Sequence, residues 1–195
     1  MFAMSVLLKE PGFMRRALPV SVRTWHWMVD QGLAPQRAEL LRGVIVEKMG
    51  KSIQHVMLSC GIFEFLQQSL GVGFWVRKED PITTHDSEPE PEVSVVLGSR
   101  ADYKHHPSTA KLAVEVSVTT LAEDREMADI YAEAGVEEYW IINARERSIE
   151  MYRDIQHGRY QFTESRGLGE LAVCQSLPGV AVEVERLFAD LPPLC

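Results

Sequence analysis

Two glutamates stand where strands should carry none. The runs Pro91-Glu92-Val93-Ser94-Val95-Val96 and Leu112-Ala113-Val114-Glu115-Val116-Ser117 are apolar and valine-rich, as buried strands are, yet each holds one carboxylate. If the two strands are neighbours in one sheet, Glu92 and Glu115 converge on a site able to hold a hard divalent cation, and oxygen ligands of this kind suit Mg²⁺ or Mn²⁺. A buried strand glutamate can equally pair with a basic side chain, so a metal site and a structural ion pair both stay open on this pattern. The sequence has no H-E-x-x-H, P-loop, G-x-G-x-x-G or G-x-S-x-G motif.

The chain around these residues reads as alternating strands and helices. Residues 78–89, acidic and punctuated by proline, form a loop that delivers Glu92, with Glu88 and Glu90 read as a solvated run. After Ser117, residues 121–134 place Met127, Ile130, Tyr131 and Ala134 on one helical face and Glu123, Asp124, Glu126 and Asp129 largely on the other, closed by Gly135. Residues 136–142 return as a strand. This order predicts a right-handed crossover between parallel strands, with Trp140 buried beside the Glu115 strand.

Upstream, Ser21 and Gly32 bound a helix, and its Trp25-His26-Trp27 cluster reads as core in preference to a base-stacking platform. Residues 39–49 read as a hairpin or a bent edge strand turned at Gly43, and Ser52 caps a helix running to about residue 70. His55 lies in its first turn. With no second histidine at ligand spacing, a structural role is the better reading of that residue alone. Residues 72–77 give a further strand. Residues 98–110, with Arg100, Lys104, His105 and His106, form a loop of local positive charge, open to phosphate contact or to plain solvation. Residues 148–153 and 159–163 alternate as antiparallel strands, followed by short extended pieces.

At 195 residues, 46% apolar and 25% charged, the chain is that of an ordinary globular protein, a single domain over residues 1–195 of α/β (α+β) class. The net charge of −8 argues against loose adhesion to nucleic acid, which would need a local basic stripe or a bound cation. Cys60, Cys174 and Cys195 are odd in number and far apart, which points to no disulfide framework or zinc site and to a reducing cytoplasm. Residues 1–20 read as neither signal peptide nor membrane span.

The runs 47–55, 86–96 and 114–117, with Asp124-Arg125 and 131–142, resemble the Uma-type family of bacterial restriction endonucleases over roughly residues 20–190. The resemblance implies the restriction-endonuclease-like fold of the PD-(D/E)xK nuclease superfamily, a central mixed sheet flanked by helices, here with a C-terminal antiparallel extension. It implies a Mg²⁺-dependent (or Mn²⁺-dependent) hydrolase of DNA phosphodiester bonds, with no membrane partner and with a homodimer by analogy. Glu92 stands at the aspartate of the family's Pro-Asp motif and Glu115 at the second acidic position, both as metal ligands. Glu39 and His55 match recurrent supporting residues.

The family's lysine is missing. Position 117 is Ser117, and the alternative helix position falls at Met127 or Ala128. Arg125 is the nearest substitute in sequence, able to neutralise phosphate but not to act as a base. Two functions therefore follow: a metal-dependent endonuclease with Glu92, Glu115 and Arg125 in the catalytic set, or a catalytically inactive nuclease fold kept as a binding or assembly module.

Overall fold

The computed structural model describes residues 16–192, so Cys195 and most of the N-terminal stretch lie outside the described residues. The elements run α1 (Val22–Asp30), β1 (Ala38–Leu41), β2 (Val44–Glu47), α2 (Ile53–Ser69), β3 (Phe74–Lys78), β4 (Val93–Leu97) and β5 (Leu112–Ser117). They continue with α3 (Leu121–Glu133), β6 (Glu138–Asn143), β7 (Ser148–Gln156), β8 (Arg159–Arg166), β9 (Leu171–Val173), β10 (Ala181–Glu183) and α4 (Val184–Phe188).

Six strands form one mixed sheet in the order β3-β4-β5-β6-β7-β8. Within it only β5 and β6 are parallel, joined through α3, as the strand–helix–strand pattern requires. Being central, both are buried along their whole length, which is why they read as continuous apolar runs. Trp140 is fully buried. The antiparallel strands expected at residues 148–163 are present: β7 and β8 extend the same sheet beyond β6. No helix among the described residues is long and apolar enough to cross a membrane.

Strand alternation divides the core between the two faces of the sheet. Val93, Val95, Leu112, Val114 and Trp140 pack against Leu58, Ile62 and Leu66 of α2 and against the C-terminal segment. Ala113, Tyr139 and Ile141 pack on the other face against Ala128 and Tyr131 of α3.

The β1–β2 hairpin stands outside the sheet. Its two-residue turn holds Arg42 and Gly43 at φ 51° and 73°, the left-handed pair that suits a tight hairpin. Gly43 is required there for space as well, since a Cβ would lie 2.3 Å from Cβ of Pro19. Alternation along β1 sends Ala38 and Leu40 against Trp25 of α1 and leaves Glu39 and Leu41 on the opposite side.

Glu138 shows how the C-terminal segment is tied to the sheet. Its buried carboxylate accepts hydrogen bonds from Trp140 Nε1 at 2.8 Å and from the backbone N–H groups of Gln175 at 2.8 Å and Ser176 at 3.0 Å. Glu138→Ala would leave the buried Trp140 Nε1 without an acceptor, at about 1–3 kcal/mol, and would free two part-buried backbone N–H groups that water can reach. The variant should unfold about 2 kcal/mol more easily in urea, with an unchanged m-value. A loss below about 1 kcal/mol would mean that these donors find other acceptors.

Candidate active site

The β4–β5 register pairs Val93 with Val114, and one further step sets Glu92 opposite Glu115 at the end of the ladder. Directly opposed residues approach closely enough to interact, and like charges there are unfavourable. The two carboxyl groups resolve this by hydrogen-bonding to each other. Burial first, and then the negative field of Glu92, push the Glu115 pKa well above the usual carboxylate range. Its Oε1 accepts a hydrogen bond from the Tyr131 hydroxyl at 2.7 Å. For Glu92, burial also opposes charge, but hydrogen bonds from Glu115 and His55, and the fields of His55 and Lys51, outweigh it and bring its pKa down to about 2.

His55 reaches this pair because Ser52 caps α2, accepting the His55 N–H at 3.2 Å and fixing the first turn. Its Nε2 lies 3.0 Å from Glu92 Oε1, and its buried Nδ1 has no partner. Glu92 Oε2 also accepts the Val116 N–H at 3.2 Å. Two carboxyl groups set against each other, one buried and one largely so, are a donor set of the kind that could hold a divalent cation. Among the described residues no three of histidine, cysteine, aspartate and glutamate form a ready-made cage. Mg²⁺ does not require one, since one or two carboxylates with waters and substrate phosphate complete its shell.

A cavity of about 600 Å³ opens over the pair, lined also by Glu39, Lys48, Lys51, Asp124 and Met127. Glu39 projects from the inner side of β1 and accepts the Glu90 N–H at 3.1 Å, with its pKa raised by burial. Lys48 Nζ lies 2.6 Å from Glu90 Oε2. Burial disfavours the Lys48 charge, but Glu90, with Glu39 and Glu115 behind it, prevails and raises its pKa, so it stays a cation. Lys51 is 2.7 Å from Glu79 at the rim. Asp124 accepts the Thr120 hydroxyl at 2.7 Å and is raised by burial.

The structure thus gathers Glu92, Glu115, Glu39 and His55 at one cavity, and Met127 with them. It adds three residues that sequence reasoning passed over. Lys48 and Lys51 lie within the 47–55 run, where only His55 was singled out, and they enter from the hairpin and its exit instead of from β5 or α3. Asp124 was visible only as the neighbour of Arg125. Glu88 and Glu90 are not a solvated run: Glu88 is buried, accepting from Thr83 Oγ1 at 2.6 Å with His26 Nε2 at 2.7 Å, and Glu90 holds Lys48.

Arg125, expected to lend charge to the site, is turned away from it. Adjacent helical residues point about 100° apart, so the face that brings Asp124 to the cavity carries Arg125 past it. Its Nε and a terminal nitrogen donate to Glu150 at 3.0 and 2.5 Å, and Glu150 also accepts from Tyr152. Arg125→Ala should therefore cost about 1 kcal/mol of stability, since the arginine is half exposed, and leave nucleic-acid cleavage unchanged. Thermal melting and a nicking assay check this together, and a hundredfold loss of cleavage at unchanged melting temperature would return Arg125 to the site.

No match was found among curated proteins. A solved structure, a "putative nuclease belonging to DUF820" from Anabaena variabilis, superposes with a TM-score of 0.75 at 16% identity, covering 88% of this chain and 98% of that one. At that identity the likeness shows a shared fold, the mixed sheet flanked by helices. The sequence model of the Uma2 family, described as "Putative restriction endonuclease", matches residues 31–185, most of the chain, and the protein belongs to that family.

Proposed function

We propose that the protein is a Mg²⁺-dependent endonuclease that hydrolyses phosphodiester bonds in DNA, with Mn²⁺ as an effective substitute. The observation that carries this reading is the carboxyl pair Glu92–Glu115, set opposite each other by the β4–β5 register, in a cavity that also holds the half-buried cation Lys48. Glu92 and Glu115 would hold the metal, which when bound polarises the phosphate and acidifies a water. His55 orients Glu92 through the 3.0 Å contact, and Tyr131 fixes the outer oxygen of Glu115. Lys48, protonated and held by Glu90, presents positive charge to the non-bridging oxygens as negative charge builds on phosphorus. Asp124 and Glu39 line the approach and remain available to accept a proton from water.

The absence of lysine at positions 117 and 127 favoured an inactive module. Lys48 and Lys51 on the same cavity weigh against that reading, because a cation can be supplied from another part of the chain. Cys60 and Cys174 are free thiols, which supports action in the reducing cytoplasm. Cutting both strands of a duplex would call for two copies of this single-site chain.

The test is supercoiled-plasmid cleavage by the purified protein. Relaxed or linear product with Mg²⁺ or Mn²⁺, abolished by EDTA, is expected. Absence of product with either metal from folded protein, or cleavage that persists in EDTA, would overturn the assignment.

A further inference from the structure

A second cavity, of about 690 Å³, lies on the other side of the segment Glu88-Pro89-Glu90-Pro91-Glu92. Glu90 lines both cavities, so they meet at that residue. Four extended residues span about 13 Å, which places the far cavity within a few nucleotides of Glu92 along a bound strand.

Its chemistry differs from that of the first. Trp75 and Tyr103 line it as a tilted ring pair with centroids 5.5 Å apart. At its floor the Arg77 guanidinium, only 1% exposed, stands 5.2 Å from the Trp75 ring centroid. Arg77 donates to Pro81 O at 3.0 Å and to Ser94 Oγ at 3.4 Å, with His106 Nδ1 at 3.5 Å. Its buried Nε makes no hydrogen bond, and the nearest carboxylate oxygen, on Asp80, is 3.7 Å away.

At the rim, the exposed side chains of Arg100 and Lys104 make no hydrogen bond or ion pair among the described residues. Of the three acids lining the cavity, Glu88 is engaged by His26 and Thr83 and Glu90 by Lys48, which leaves Asp30. Arg77 is met by Asp80 at 3.7 Å, so the cations without a partner at this cavity are Arg100 and Lys104, on a chain of net charge −8. Aromatic rings beside unpaired cations are what a single nucleic-acid strand requires, rings for its bases and cations for its phosphates. A continuous duplex keeps its bases stacked away from such rings.

We infer that this cavity binds an unpaired stretch of nucleic acid next to the cleavage site, a base against Trp75 and Tyr103 and the backbone against Arg100 and Lys104. The inference rests on the nuclease reading for its role. Its binding test does not depend on cleavage, so the two can fail separately.

The measurement is fluorescence anisotropy of three labelled 12-nucleotide probes, a dT strand, an abasic strand of the same charge and a duplex, without added divalent metal. Wild type should bind the dT strand about tenfold more tightly than the abasic strand and more tightly than the duplex. The Arg100→Ala/Lys104→Ala variant should bind the dT strand at least tenfold more weakly, with a salt slope shallower by about 1.4. Both side chains are exposed, and circular dichroism should match wild type. Equal affinity for the dT and abasic strands, tighter binding of the duplex, or unchanged binding in the double variant would each overturn the inference. Strand binding that behaves as expected in a protein that never cleaves plasmid would uphold the cavity and sink the nuclease reading.

Discussion

Glu115→Gln is expected to reduce Mg²⁺-dependent plasmid cleavage at least a thousandfold, about 4 kcal/mol of barrier, while leaving the fold intact. The wild-type carboxyl is held in its neutral form by burial and by Glu92, so an amide of the same shape meets the surroundings it already has. It still donates to Glu92 and still accepts from Tyr131. The folded protein should therefore melt within a few degrees of wild type. What the amide lacks is the ability to become an anion, and hence a ligand for Mg²⁺. Cleavage rates and thermal melts on the same preparation decide it. A Glu115→Gln enzyme with more than a tenth of wild-type activity would remove Glu115 from the metal site.

The second large effect belongs to Lys48. Lys48→Met should lower the cleavage rate a hundred- to a thousandfold with little change in KM, because the lost charge matters most when negative charge accumulates on phosphorus. Lys51→Met should cost less, since Lys51, ion-paired like Lys48, is the more exposed of the two and its charge is better screened by water. Met127 lines the same cavity, so Met127→Lys in the Lys48→Met background should restore part of the rate from the α3 side. Met127 is also packed against the core on that face, and circular dichroism must confirm a folded helix before a failed rescue is read as chemistry. Full activity in Lys48→Met would show that the site needs no cation there.

The carboxylates were legible because they break a rule. A glutamate inside an apolar strand has to be paired, protonated or ligating, and two such strands in succession made Glu92 and Glu115 stand out. The order of β5, α3 and β6 was legible for a similar reason, since unbroken valine-rich runs around an amphipathic helix admit few arrangements. Lys48 broke no rule. A lysine at the end of an edge hairpin reads as surface, and only the docking of that hairpin over the sheet brings it 2.6 Å from Glu90. Arg125 failed for a local reason, the angle of about 100° between neighbours on a helix. Glu88 and Glu90 looked solvated because proline-punctuated acidic runs usually are. Their burial depends on α1 and the hairpin, which pack onto them from distant parts of the sequence, beyond the reach of any local pattern.

The β1–β2 hairpin divides the site into parts of unequal permanence. Glu92 and Glu115 are anchored at the six-stranded sheet, whereas Glu39 and Lys48 arrive on a two-stranded hairpin and its exit, held by α1 and by residues 86–90 through contacts that include the Leu40–Glu88 bridge, the Gly43–Asp86 backbone bond and the Lys48–Glu90 ion pair. Amide hydrogens of β1 and β2 should exchange with solvent through local opening well before those of β5 and β6. On the proposed function, each such opening would withdraw the lysine and leave the acid pair in place, a state expected to load metal but without its hold on the phosphate. Any molecule that grips the hairpin would thereby set how much of the time the site is complete.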